Sequence, residues 1–83
     1  MGNNKFYNEL VAILNASTMR SQLDWMAAHG QSIILNYGED NRQWEVSWIT
    51  GDNRFTAVRG DVREAVKDVL GMVRNEMLEK GVQ

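Results

Sequence analysis

The chain has 83 residues, no Cys and no Pro, and nine basic against eleven acidic side chains for a net charge of −2. That length supports one domain spanning the chain, and the lack of Cys excludes a disulfide, a thiolate metal site and a nucleophilic thiol. The slight acidic excess argues against binding dominated by nucleic-acid phosphates, which requires a basic excess or a basic stripe.

Residues 5–15 place Phe6, Leu10, Ile13 and Leu14 at helical spacing, with Tyr7 and Val11 widening the apolar face and Asn3 or Asn4 as a cap. The segment Asn15-Ala16-Ser17-Thr18 interrupts that pattern. Ser17 or Thr18 then caps a second helix, in which Met19, Leu23, Met26 and Ala27 recur at i, i+4, i+7 and i+8. Gly30 is expected to end it as a left-handed C-terminal residue. The pattern from Lys5 onward is amphipathic rather than continuously apolar, which argues against a signal peptide or a spanning helix. A cytoplasmic location is the expectation.

After Gly30 the period changes to two. Residues 32–37 read as a strand, Gly38-Glu39-Asp40-Asn41 as a turn, and 43–49 as a second strand. Gly51-Asp52-Asn53 is another turn, and 54–59 a third strand. Pairing Tyr37 with Arg42 across a four-residue loop puts Ile33, Leu35, Tyr37, Trp44, Val46 and Trp48 on one face. A two-residue second loop adds Phe55 and Ala57. The opposite face carries Asn36, Gln43, Glu45, Ser47, Arg54 and Thr56, with Ile34, Ile49 and Val58 as its apolar members. A sheet covered on one side has this division.

Asp61 and Glu64 form a capping box for a last helix, whose apolar stripe is Val62, Val66, Val69, Leu70, Val73 and Met77, closed by Lys80-Gly81. The predicted fold is therefore α+β in the order ααβββα: two N-terminal helices, a three-stranded antiparallel meander and a long C-terminal helix. The helices pack on one face of the sheet, with the first and last expected across its tryptophan-bearing side.

Little in this pattern supports catalysis. His29 is the only His, Asp24 lies on a different helical face, and beside Gly30 an imidazole serves to complement the helix dipole. The seven Gly are scattered along the chain, so no phosphate-cradling loop is expected. No cofactor or metal is expected. Trp44, Trp48, Tyr37 and Phe55 belong to the only face apolar enough to be a core. Trp25 differs, because it lies about 200° around its helix from Leu23, with Ser21, Gln22 and His29 as neighbours. That position marks Trp25, Gln22, His29 and Ser21 as a partner-binding anchor, the alternative being that Trp25 packs against another element such as the first or last helix. Arg63, Lys67 and Arg74 form one flank of the last helix, extended by Arg59, and Glu64, Asp68 and Glu79 form the other. The basic flank is the basis of a rival reading, a nucleic-acid-binding domain.

The order of helix, three strands and helix resembles that of double-stranded-RNA-binding domains across residues 5–80. The last helix starts Asp61-Val62-Arg63-Glu64 where those domains carry lysines, their Gly-Pro loop has no counterpart, and an extra helix intervenes. Separately, Gly60-Asp61 followed by Glu64-Ala65 resembles the strand-to-helix junction of HicB-type antitoxins. The first likeness implies nucleic acid as the ligand and the second a protein partner; neither assigns a family. The leading expectation is a non-catalytic protein-binding module, a small adaptor, inhibitor or antitoxin-like accessory protein of the kind phages and prophages encode. Its partner is another protein, with a second copy of the chain and an open sheet edge also in view.

Overall fold

The computed structural model describes residues 2–15 and 18–80, with side chains from Lys5 onward. Three helices and three strands follow in the order α1 (Gly2–Leu14), α2 (Met19–His29), β1 (Ser32–Gly38), β2 (Gln43–Thr50), β3 (Asn53–Arg59) and α3 (Val62–Glu79). The ααβββα order is as the periodicities predict. Helix α1 begins at Gly2, so Asn3 and Asn4 lie inside its first turn rather than ahead of it. Thr18 is the N-cap of α2, its hydroxyl accepting from the Ser21 N–H at 3.2 Å. The other cap candidate, Ser17, lies outside the described residues, as does Gly81.

Gly30 ends α2 in an extended conformation (φ −134°, ψ −172°) that any residue can adopt, so the expected left-handed cap is corrected. Space is the reason for a glycine here. A Cβ at position 30 would fall on the indole Nε1 of Trp48 and lie 3.1 Å from the Ile49 carbonyl oxygen. At α3 the Asp61 carboxylate caps the helix by accepting from the Arg63 N–H at 2.8 Å. That bond holds its carboxyl below the ordinary carboxylate range. Glu64, expected to turn back toward the cap, instead accepts from the Arg59 guanidinium at 2.8 Å.

The sheet is an antiparallel meander in the order β1-β2-β3. Tyr37 pairs with Trp44 and Gly38 with Gln43, so the first hairpin is shifted by two residues from the expected Tyr37–Arg42 pairing. Glu39 to Arg42 form the loop, with Arg42 in the left-handed region at φ 54°. A shift of two preserves side-chain parity, and the assignment of faces survives it. The second hairpin pairs Thr50 with Asn53 around Gly51-Asp52. Gly51 has φ 60°, the positive value that a type II′ turn requires at its first loop position.

Trp48, Val46 and Ala57 are buried on the inner face with Leu10, Met26 and the α3 residues Ala65, Val66, Val69, Leu70 and Val73. The Trp48 indole donates to the Met26 carbonyl at 3.0 Å, which ties the central strand to the end of α2. Helix α3 lies across β2 and β3, and α2 reaches β1. Helix α1 rests mainly on α3 and α2, so of the two terminal helices α3 alone covers the strands broadly. On the outer face the Ser47 hydroxyl is buried between the Thr56 hydroxyl at 2.9 Å and the Arg54 guanidinium, which donates to it at 3.3 Å.

Candidate functional site

The side chains singled out on α2 occupy two different environments. Gln22 is only 1% exposed. Its amide nitrogen donates at 3.2 Å to the carbonyl of Ile13, one of the α1 terminal carbonyls that lack an intrahelical partner. Trp25 is half-buried, its indole Nε1 donating to the Glu9 carboxylate at 3.1 Å and its ring packed 5.2 Å from Phe6 and 5.9 Å from Trp48. The expected exposed anchor of Trp25 with Gln22 is therefore corrected: both fasten α1 to α2. The reason is geometric. Helix α2 is wedged between α1 and the sheet, so it buries a wider arc than a helix with one neighbour. Ala27, assigned to its apolar stripe, is exposed.

Ser21 is exposed, and its hydroxyl accepts from Thr18 at 2.8 Å within the cap. His29 stacks on Trp25 at 4.4 Å between ring centroids. Its Nδ1 is 2.9 Å from the Trp25 carbonyl oxygen and its Nε2 is 3.4 Å from the Glu9 carboxylate. The Nδ1 contact pins the ring on Trp25, while one edge of the ring faces outward.

That edge borders a cleft of about 350 Å³ at the end of the molecule where α2, the β2–β3 hairpin and the last turns of α3 meet. Phe6, Trp48, Phe55, Val73 and Met77 give it an apolar interior. His29, Thr50, Asn53, Glu76 and Lys80 form a polar lip, across which Lys80 bridges Glu76 at 2.8 Å. Each wall follows from local sequence. The hairpin turn at Gly51-Asp52 brings Thr50 and Asn53 to the rim. The i, i+4 spacing of Val73 and Met77 lines one side, and that of Glu76 and Lys80 places a matched ion pair above it. Sequence reasoning selected His29 but missed the rest, because the cleft is made where four segments far apart in the chain converge.

The basic flank of α3 is also altered. Arg59 does not extend it. Projecting from the inner face of β3, Arg59 crosses to the acidic flank and bridges Glu64 at 2.8 Å and Asp68 at 2.7 Å. The hydrogen bond to Glu64 and the charge of Asp68 raise its pKa above the usual arginine value, and the two carboxylates, not a free basic flank, balance its charge. Arg63 lies 3.5 Å from Asp61, and Arg74 is half-buried and donates to the Asn75 side chain at 3.5 Å. Lys67 is exposed. Among the described residues no three His, Asp or Glu side chains converge as a metal ion would require. Among the same residues no helix is long and apolar enough to cross a membrane. No family model matches the chain, and no similar protein is found among curated sequences or solved structures.

Proposed function

We propose that the protein is a non-catalytic binding module that captures a segment of another protein through the cleft beside His29. The observation that carries this reading is the combination of an aromatic and aliphatic interior with a lip whose charges are already paired. Such a pocket gains free energy by burying one large apolar side chain, with a desolvated centre inside a polar rim. His29, stacked on Trp25, contributes the outward edge of its ring to the wall of the cleft. The partner that fits is a peptide segment presenting Leu, Met or an aromatic residue, with polar neighbours to meet Glu76, Lys80 and Asn53. Function as an adaptor, inhibitor or antitoxin-like accessory protein is consistent with that mode of capture.

Selection of a random displayed-peptide library on the immobilised protein tests the reading. The expected outcome is a family of peptides sharing one large apolar anchor, whose binding is weakened at least about tenfold by Thr50→Phe, a change that fills the mouth of the cleft. Peptides that bind the Thr50→Phe protein equally well, or a selection that enriches no anchor, would reject it.

A further inference from the structure

Strand β1 is an edge strand without the usual protections of an edge. Its seven residues, Ser32 to Gly38, include no charge and no Pro, and they pair one-to-one with β2 with no bulge. Ile34 is 39% exposed on the outer face, and Leu35 and Tyr37 are 43% and 46% exposed on the inner face, beyond the reach of α3. The Tyr37 ring packs against Trp44 at 5.1 Å, which continues the uncovered strip onto β2. The other edge is different in kind. Strand β3 carries Arg54 and Arg59, the latter clamped to α3.

From this asymmetry we infer that the β1 edge pairs antiparallel with the β1 edge of a second copy of this chain, giving a two-fold dimer with one six-stranded sheet. Three observations select a second copy as the occupant. First, one protected and one bare edge make an assembly that closes at two subunits, since bare meets bare and the arginine edges remain outside. Second, β1 is self-complementary about Leu35. In that register Leu35 faces Leu35 of the second copy, Ile33 faces Tyr37, and Ile34 faces Asn36, so apolar residues meet on the helical side and no charge is opposed by a like charge. Third, the antiparallel arrangement keeps the two Glu39-Asp40 turns at opposite ends of the shared ladder, whereas a parallel pairing would bring four carboxylates together. The two-fold sets each Tyr37–Trp44 pair beside Ile33 of the second copy, which continues the strip across the junction. This inference does not depend on the cleft, which lies at the hairpin and α3 end.

Sedimentation velocity on the full chain over a concentration series is the test, with the 9.5 kDa monomer as reference. The expected result is a species of twice that mass that dissociates on dilution. Leu35→Lys, which sets two ammonium groups face to face at an exposed position, should raise the dissociation constant by roughly 100-fold, while Val58→Lys on β3 should leave it unchanged. A chain without Cys allows a second readout. Leu35→Cys should cross-link to itself on mild oxidation, and Asn36→Cys, one residue off the axis, should do so far less. A monomer at every concentration would overturn the inference. So would a dimer that is indifferent to Leu35→Lys and that the Leu35→Cys substitution fails to cross-link, which would place self-association elsewhere. Thr50→Phe should leave the mass unchanged in either case, so loss of peptide capture and loss of dimerisation are read separately.

Discussion

Gly30 and Trp48 occupy adjoining space at the end of α2, where the indole reaches the Met26 carbonyl beneath the glycine backbone. An added methyl group must push the indole aside and break that hydrogen bond. Gly30→Ala is expected to destabilise the protein by about 1–3 kcal/mol in urea titration, with a shifted tryptophan emission. At Asp61 the effect is electrostatic and depends on pH. Its folded pKa is depressed below the ordinary 3.8 by the Arg63 N–H it accepts. It therefore adds stability above that ordinary value and loses the contribution as pH falls through the lower folded value. Asp61→Ala should lower the melting temperature at neutral pH, and the gap from wild type should close as the solution is acidified below the carboxylate range. The cap at Asp61 was legible in the sequence because capping is a local affair of three residues. The role of Gly30 was not, since its neighbour in space stands eighteen positions further along the chain.

Helix α2 shows the same contrast at the next scale. Its existence, its ends and its burial of Met26 follow from spacing, but its orientation is set by α1 on one side and the sheet on the other. The buried arc includes Gln22 and much of Trp25 and omits Ala27. Trp25→Ala should therefore cost about 2–4 kcal/mol by removing contacts with Phe6, His29 and Trp48 and leaving Glu9 without its indole donor. Ala27→Glu should stay within about 0.5 kcal/mol of wild type. Chemical denaturation of both variants checks the pair, and a Trp25→Ala protein of undiminished stability would contradict the packing described. In the meander, parity alone identified the inner face correctly, whereas the pairing was misjudged by two residues. Periodicity constrains which side a residue takes; loop geometry, here a left-handed Arg42, decides how far the strands slide.

For a molecule of 83 residues the margin of folding is on the order of 4–12 kcal/mol, so area left outside the core matters. Helix α3 covers β2 and β3, while much of the inner side of β1 has no helix above it. If that strip is completed by a second copy, the melting temperature of the wild type should climb with protein concentration, and that of Leu35→Lys should not. Which strands a helix reaches is a whole-molecule property, and the sequence offered no sign that α1 would lie mainly on other helices instead of the sheet. The three tryptophans end in three distinct settings: Trp48 sealed in the interior, Trp25 at the seam between α1 and α2, and Trp44 half-buried beside the bare strand. The protein thus contains its own set of optical probes. Keeping one indole at a time would give separate signals for collapse of the interior, docking of the first helix and events along the uncovered strand.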